Sequence, residues 1–377
     1  MELVRDLAGV RAADRAVAGG KAASLGELAA AGVRVPPGCV VTAGAFHLAM
    51  AAAGPDGSTL DDARRAAERM PPDAVGAGTS AGAGADAAAA GARERILAAP
   101  LPDAVRERIA DGYRALTGPG GPPDPPVAVR SSATVEDSRD ASFAGVQETY
   151  LWVRGEAAVA DSVRRCWASL YSNESLSYRR RLPPGGSGPA GEPPAMAVVI
   201  QRMVDARCAG VMFTCSPATG DRSVVAIEAA WGLGSALVSG CVDPDSYLVS
   251  KVTGEIVKRT VPAKLRLHRA GPEGTGVVED DVPAHLREAA CLTDAEIAEL
   301  VRIARQVEDH YGSPQDIEWA IADEGPGDET GAGARGIFVL QSRPETVWAA
   351  REAGPVAAPK QRAFDHVFDR MSGRTAR

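Results

Sequence analysis

The sequence predicts an α/β protein with two lobes, and two observations lead to that class. Stretches with the spacing of amphipathic helices alternate with short apolar runs that are typical of buried strands. A stretch rich in proline and glycine, 183–194, then divides the chain near its middle. We therefore expect an N-terminal lobe over residues 1–195, a C-terminal lobe over 196–347 and a C-terminal tail over 348–377.

The N-terminal lobe is expected to begin with a helix and a strand. Residues 21–31 repeat alanine and leucine at helical spacing, and Gly32 is predicted to cap the C-terminus of this helix. The following residues, 33–41, are typical of a strand that Pro36 and Pro37 interrupt.

Residues 76–91 consist almost entirely of alanine, glycine, serine and threonine. Such a segment buries little apolar surface, so we expect a mobile insertion here. The alternative is that its alanine-rich end extends the helix predicted for residues 92–98. A linker rich in proline and glycine, 118–126, then leads into the next strand.

The remaining elements follow from the same two spacings. A long helix is predicted for 157–182, and its closing arginines, Arg179 to Arg181, suit a helix C-terminus. An amphipathic helix over 293–311 begins with a capping box formed by Thr293 and Glu296. Apolar runs predict six further strands: 197–201, 209–213, 223–228, 246–250, 316–321 and 336–341.

Composition excludes several classes of function. The formal net charge of −8 argues against a general nucleic-acid-binding surface. The six cysteines form no C-x-x-C pair and have no histidine at zinc-ligand spacing, which favours small buried side chains in a reducing compartment. The chain opens without a signal-peptide pattern and has no apolar run of membrane-spanning length, so we expect a cytoplasmic protein with no membrane partner.

The most informative segment runs from Val127 to Thr149. Three apolar residues predict a buried strand, and Arg130, small hydroxyl residues, two acids and a second turn at Ala144-Gly145 follow. A strand that delivers an arginine into a glycine-containing loop suits a polyphosphate, because the planar guanidinium offers several donors and small residues let backbone N–H groups approach the anion. An ordinary strand and turn with a surface arginine is the alternative.

Two other places offer groups that suit a phosphate or a metal. Lys21 follows two glycines and precedes a helix, where a cation and free N–H groups favour an anion, although a plain turn has the same pattern. Strand alternation places Glu318 on one face, and a hard oxygen there suits Mg²⁺; an exposed strand acid is the alternative. Gln341 offers a second oxygen from the neighbouring strand, and Arg343 projects to the same side.

The chain resembles the nucleotide-binding domain shared by phosphoenolpyruvate synthases, pyruvate phosphate dikinases and rifampin phosphotransferases. The likeness extends from the N-terminus to about Pro344. Five collinear sets of segments carry it: 127–149 described above, Gly19 to Leu28, Val198 to Val204, Glu228 to Gly234 with Val238 to Gly240, and Pro314 to Ala320 with Val339 to Pro344.

This resemblance implies an ATP-grasp fold in which two α/β lobes hold ATP between them. It assigns Mg²⁺ to Glu318 and Gln341, and it makes Lys21, Arg130 and Arg343 the catalytic residues that act on the phosphates. It places Gln201, at the end of a strand, beside the adenine. The implied ATP contacts are Lys21, Arg130, Gly145, Thr149, Gln201, Glu318, Gln341 and Arg343.

The resemblance also predicts a missing acceptor. Family members split ATP to AMP and phosphate and pass the β-phosphoryl group to a histidine on a separate domain, and the sequence stops shortly after Arg343. None of its five histidines has the glycine-rich context of that phosphohistidine. We expect an unidentified small-molecule acceptor or a separate histidine-domain protein, on which the apolar residues of the tail 360–377 are expected to dock unless they pack on the core.

Two functions are therefore open. The first is an ATP-dependent phosphotransferase of the dikinase or kinase type, which releases either AMP and phosphate or ADP. The second is a regulatory or assembly subunit that binds the nucleotide without turnover. The complete set of metal and phosphate ligands favours the first.

Overall fold

The computed structural model describes residues 2–54, 80–118, 123–134, 148–172, 175, 195–322, 336–345 and 347–348, with the backbone alone for 80–85. Gly145, residues 76–79, Arg179 to Arg181 and the tail beyond Trp348 lie outside this part of the chain. Among the described residues, no helix is both long enough and apolar enough to cross a membrane.

The first half of the chain forms an antiparallel sheet covered by helices. Its strands have the order β1-β2-β5-β3-β4. The strands are β1 (Val4–Asp6), β2 (Gly38–Val41), β3 (Val127–Ala133), β4 (Thr149–Val153) and β5 (Met196–Arg202). The helices are α1 (Arg15–Ala30), α2 (Ala43–Ala53), α3 (Ser80–Ala98), α4 (Asp103–Ala115) and α5 (Glu156–Ser169).

The second half forms a larger antiparallel sheet and a separate two-stranded hairpin. Its strands in chain order are β6 (Ala206–Phe213), β7 (Val224–Trp231), β8 (Asp245–Ser250), β9 (Ile256–Thr260), β10 (Arg266–Ala270), β11 (Val277–Asp281), β12 (Gln315–Ala322) and β13 (Gly336–Pro344). The six-stranded sheet has the order β13-β12-β6-β7-β8-β9, and β10 pairs with β11. The helices are α6 (Ser235–Val238) and α7 (Asp294–Tyr311).

The position of β5 corrects the expected division at residues 195 and 196. This strand was expected to open the C-terminal lobe, but it lies in the middle of the N-terminal sheet, where Val199 pairs with both Val40 and Arg130. Residues 196–201 are all buried, as a central strand requires. The chain passes from the N-terminal sheet to the C-terminal sheet between Arg202 and Ala206. The sequence did not predict this position, because a buried apolar run does not indicate which sheet it joins.

Helix α1 joins the two halves. Its Leu25 packs with Val40 and Val199 of the N-terminal sheet, whereas Leu28 packs in the core beneath the C-terminal sheet. Gly32 has a positive φ of 77°, and the N–H groups of Gly32 and Val33 donate to the carbonyls of Ala29 and Leu28, which confirms the predicted glycine cap. The helix therefore belongs to both cores.

Several predicted boundaries shift for simple reasons. In the predicted strand 33–41 only Gly38–Val41 joins the sheet, since prolines lack the N–H that a ladder needs. The helix predicted for 157–182 ends as α5 at Ser169. The predicted helix 293–311 is confirmed, and Thr293 and Glu296 form the expected capping box.

Helix α3 covers most of the segment 76–91 and agrees with the alternative that the alanine-rich end extends a helix. Its Ala89, Ala92 and Ile96 are buried. The mobility of the segment stays a prediction.

Candidate functional site

A cavity of about 260 Å³ lies between the two large sheets. Strand alternation explains one wall, because Val127 and Val129 of β3 point into the N-terminal core while Ala128 and Arg130 face the cavity. The N-terminal sheet also contributes Thr149, Leu151 and Gln201, and the C-terminal half contributes Ala209, Val211, Leu233, Gly234, Ser235, Val238, Glu318, Ala320 and Leu340.

Arg130 connects the two sheets across this cavity. Its Nη1 donates to the Leu340 carbonyl at 2.6 Å, and its Nη2 donates to Glu318 Oε2 and Gln341 Oε1, each at 2.8 Å. The residue is only 8% exposed. Within the described part of the chain its buried Nε has no hydrogen-bond partner, so one charge-bearing N–H remains to be satisfied.

Glu318 and Gln341 are held side by side by the sheet. They are directly opposite each other in the β12–β13 ladder. Because an oxygen of each residue accepts a hydrogen bond from the same arginine nitrogen at 2.8 Å, the two oxygens lie no more than twice that distance apart. A carboxylate and an amide oxygen thus converge at the edge of the cavity.

Arg343 lies two residues further along the same ladder than Gln341, opposite Asp316. Its Nε and Nη2 both contact Asp316 Oδ2, at 2.8 and 2.7 Å. Burial raises the pKa of the Asp316 carboxyl above its ordinary value of 3.8, and the Arg343 charge opposes that rise. Arg343 does not line the cavity that Arg130 faces.

Lys21 lies further along β3, in helix α1, which packs on the face of the N-terminal sheet to which Ser132 and Arg130 point. Its buried Nζ donates to the carbonyl of Ser131, the residue after Arg130, at 2.9 Å. The preceding turn requires glycine at position 19, where φ is 78° and a Cβ would stand 2.1 Å from the Ser132 carbonyl oxygen. The Ala22 N–H donates to Ser132 Oγ, so this helix start rests on β3 and does not open onto the cavity.

Gln201 and Thr149 both line the cavity. The Gln201 side chain donates its Nε2 to the Pro36 carbonyl at 3.1 Å and is almost fully buried. Thr149 lies opposite Arg130 in the β3–β4 pairing. Four predicted site residues thus line the cavity, three lie beside it, and Gly145 is outside the described residues.

Comparison with known proteins identifies the domain. The family model described as "Pyruvate phosphate dikinase, AMP/ATP-binding domain" matches residues 15–363. The chain belongs to this family.

Relatives with known names agree with the family. The chain is 40% identical over 338 residues to a probable phosphoenolpyruvate synthase of Methanothermobacter thermautotrophicus, covering 88% of the chain and 44% of the relative. It is 37% identical over 373 residues to a phosphoenolpyruvate synthase of Aeropyrum pernix, covering 91% and 42%. It is 42% identical over 346 residues to a rifampicin phosphotransferase of a Streptomyces species, covering 91% and 36%. The chain spans less than half the length of these relatives.

The residues at the cavity suit the nucleotide that the family's description names. The Arg130 guanidinium carries a positive charge that suits an anion, and Glu318 and Gln341 supply the hard oxygens that Mg²⁺ prefers. The apolar lining from Ala128, Leu233 and Leu340 suits a flat base. In this structure both oxygens accept hydrogen bonds from Arg130.

Sequence reasoning missed the wall formed by Leu233, Gly234, Ser235 and Val238. Leu233, Gly234 and Val238 belong to segments used for the resemblance and Ser235 lies between those segments, but none of the four carries a charged group that would mark it as a site residue. Their position depends on Gly232, whose φ is 74° and whose Cβ would stand 2.4 Å from the His268 carbonyl oxygen. A second, larger cavity of about 690 Å³ adjoins this wall and shares Thr149, Leu151 and Ser235 with the first.

Proposed function

We propose that the chain is an ATP-grasp domain that binds Mg-ATP between its two sheets and takes part in ATP-dependent phosphoryl transfer. The observation that carries this proposal is the convergence of Arg130, Glu318 and Gln341 at a cavity lined by both sheets. The family membership and the names of the relatives support it.

Each residue has a defined part in the proposal. Glu318 and Gln341 hold Mg²⁺, which offsets the charge of the phosphate oxygens. Arg130 gives up its contact with Glu318 and directs its guanidinium to the phosphates, where it stabilises developing negative charge. Lys21, which contacts the residue after Arg130, and Arg343, which lies two residues beyond Gln341, are proposed to contribute further positive charge.

The base is proposed to lie at the end of β5. Backbone groups near Gln201 are favoured over its side-chain nitrogen, because that nitrogen already donates to Pro36. Thr149 and Gly145 are proposed to follow the phosphates, as the resemblance implies.

The acceptor is proposed to lie outside the residues described here. The relatives are named for phosphoenolpyruvate synthesis and for rifampicin phosphotransfer, so either a histidine relay or a small molecule fits. None of the four histidines in the described part of the chain lines the cavity that Arg130 faces. We infer that the phosphoryl group leaves to a separate domain, a partner protein or a small molecule.

Calorimetry tests the nucleotide site. ATP should bind with 1:1 stoichiometry and more tightly with Mg²⁺ than without it. Glu318→Gln should remove most of the effect of Mg²⁺, whereas the exposed control Glu255→Gln should retain it. ATP binding no tighter than that of inorganic phosphate would contradict the proposed function.

Labelling tests the acceptor. With β-labelled ATP and Mg²⁺, the chain alone should form no acid-labile phosphohistidine. An added acceptor should release AMP and phosphate, or ADP if the γ-phosphoryl group moves directly. Stoichiometric labelling that one histidine substitution abolishes would place the acceptor within the chain. If the chain binds ATP but transfers no phosphoryl group to any acceptor of the family, the result would favour a regulatory or assembly subunit that binds the nucleotide without turnover.

A further inference from the structure

Three metal-ligating side chains meet on the hairpin next to the cavity wall. Cys241 Sγ lies 3.6 Å from His268 Nε2, and a carboxylate oxygen of Glu279 completes a group whose three ligand atoms all lie within 4.8 Å of one another. Cys241 comes shortly after α6, whereas His268 and Glu279 are directly opposite each other in the β10–β11 ladder. Cys241 and His268 are 27 residues apart in the sequence, which explains why sequence spacing alone indicated no zinc site.

The sulfur–nitrogen separation matches that of a tetrahedral zinc site. With typical Zn–S and Zn–N bonds of about 2.3 and 2.05 Å, two ligands at the tetrahedral angle stand about 3.6 Å apart. A thiol hydrogen bond has a similar separation, but it does not require a carboxylate within reach of both atoms. The thiol and the imidazole are partly buried, and the carboxylate is exposed, so an ion can enter from solvent.

The histidine is already oriented for metal binding. Its Nδ1 lies 2.9 Å from Ser235 Oγ, which fixes the ring and directs Nε2 towards the cysteine. A histidine ligand commonly donates its other N–H to an oxygen in this way. The backbone also fixes this residue, because the His268 carbonyl accepts the Leu233 N–H at 2.9 Å.

The other contacts of the cluster leave the metal position accessible. The Cys241 thiol lies 3.3 Å from the Ala236 carbonyl, a weak hydrogen bond that a thiolate would give up. Arg266 contacts Glu279 at 3.4 Å, and the same arginine also pairs with Asp281 at 2.7 Å. Arg266 therefore has a second partner when Glu279 turns to a metal.

We propose that Cys241, His268 and Glu279 bind a zinc ion, with water as the fourth ligand. Thiolate and imidazole favour zinc over Mg²⁺, which prefers oxygen. The Zn–S bond forms as the thiol proton leaves to solvent. The ion cross-links the segment after α6 to the β10–β11 hairpin and so fixes the wall that contains Ser235. The zinc proposal does not rest on the proposed function.

Cobalt substitution tests the site on the full chain. Purified apoprotein titrated with Co²⁺ should form a 1:1 complex with sulfur-to-cobalt charge-transfer absorption and the intense visible bands of tetrahedral cobalt. Cys241→Ser should abolish the charge-transfer band. His268→Gln and Glu279→Gln should weaken Zn²⁺ binding in competition with a chromophoric chelator, and Ser235→Ala should weaken it by about 10- to 100-fold.

Controls separate the site from adventitious binding. The exposed residues His285 and Glu273 provide matched variants, His285→Gln and Glu273→Gln, which should retain wild-type affinity. Circular dichroism of each apo variant checks the fold, and Glu279→Gln is the variant least able to disturb it because its side chain is 48% exposed. A charge-transfer band that persists in Cys241→Ser, the absence of a 1:1 complex, or equal affinity of wild type and Glu279→Gln would each overturn the proposal.

Discussion

At the scale of single residues, the proposed phosphate contact of Arg130 competes with its structural contacts. Its three hydrogen bonds connect β3 with β12 and β13. A hydrogen bond to a charged group contributes about 1.5–3 kcal/mol, so the contacts to Glu318 and Gln341 oppose the transfer of this guanidinium to a phosphate. Under the proposed function, the interaction with phosphate must exceed that opposition.

Arg130→Met tests this role. We expect the substitution to weaken ATP binding by about 1.5–3 kcal/mol, because the phosphates lose a charge-assisted donor. Adenosine affinity should change little, since adenosine has no phosphate. Calorimetry with both ligands measures the difference, and the exposed Arg108→Met is the control. Equal losses for ATP and adenosine would show that Arg130 acts only through the fold.

Asp316 provides a prediction about pH. Because burial raises its pKa, the folded protein retains this proton where the unfolded chain has lost it. The contribution of Asp316 to the free energy of unfolding therefore falls as the pH rises from 3.8, the ordinary pKa of the unfolded chain, through the raised pKa of the folded protein. The unfolding free energy of the wild type minus that of Asp316→Asn should decrease across this window and then level off. Urea titrations at a series of pH values measure this difference in unfolding free energy. A difference that increases with pH, or an equal trend for the exposed control Asp243→Asn, would contradict the raised pKa of Asp316.

At the scale of elements, the contact of α1 with β3 depends on the turn at Gly19. Its backbone lies in a region that other residues avoid, and the Ser132 carbonyl fills the space where a side chain would begin. Ser132 Oγ also accepts from Ala22 and donates to Ala18, so strand and helix are joined at several atoms. This contact positions Lys21 beside Ser131.

Gly19→Ala should disrupt the contact between α1 and β3. The backbone strain alone costs about 1–3 kcal/mol, and the clash with Ser132 adds to it. We expect a loss of more than about 3 kcal/mol in the free energy of unfolding, measured with urea. Gly9→Ala is the matched control, because a Cβ there meets no atom within 4 Å. Similar stability of the two variants would be the contrary result.

Gly91 lies within helix α3. A Cβ on Gly91 meets no atom within 4 Å, so Gly91→Ala should stabilise the protein by about 0.5–1 kcal/mol through helix propensity. Gly91→Pro should instead destabilise it by about 3 kcal/mol. Thermal unfolding of both variants measures the effect. If neither substitution changes the melting temperature, the segment is mobile, as its composition first indicated.

Local patterns predicted local structure well. The capping box at Thr293, the glycine cap at Gly32 and the alternation of Glu318 with buried neighbours all follow from adjacent residues. Sheet membership of β5 and the contacts of Arg130 depend on residues up to 211 positions away, which local spacing does not encode. The resemblance named residues for the site, whereas the contacts of Arg130 with Glu318 and Gln341 became visible only in the structure.

At the scale of the whole molecule, the two sheets share a structural helix. Leu25 and Leu28 of α1 pack into different cores, and Ser24 donates to the Ser342 carbonyl of β13 at 2.8 Å. Trp167 reports on the N-terminal core and Trp319 on the C-terminal core, since both are buried. The shared helix should couple the unfolding of the two cores.

Fluorotryptophan NMR tests that coupling. In a urea titration the Trp167 and Trp319 signals should disappear at the same midpoint. Leu28→Ala, which removes a fully buried side chain from the helix that both cores share, should lower the two midpoints together and cost about 2–5 kcal/mol. Separate midpoints, or a shift of the Trp319 signal alone, would mean that the halves unfold independently.

The position of α1 has a consequence for the speed of ligand exchange. None of the α1 residues lines the cavity in the described part of the chain, whereas Arg130 lies in its wall. We therefore expect that, if the sheets separate to admit a ligand, they turn about α1, stretching the Arg130 contacts while the apolar contacts of the helix persist. Under the proposed function, the contacts that oppose phosphate binding to Arg130 are then also expected to slow the entry and release of the nucleotide.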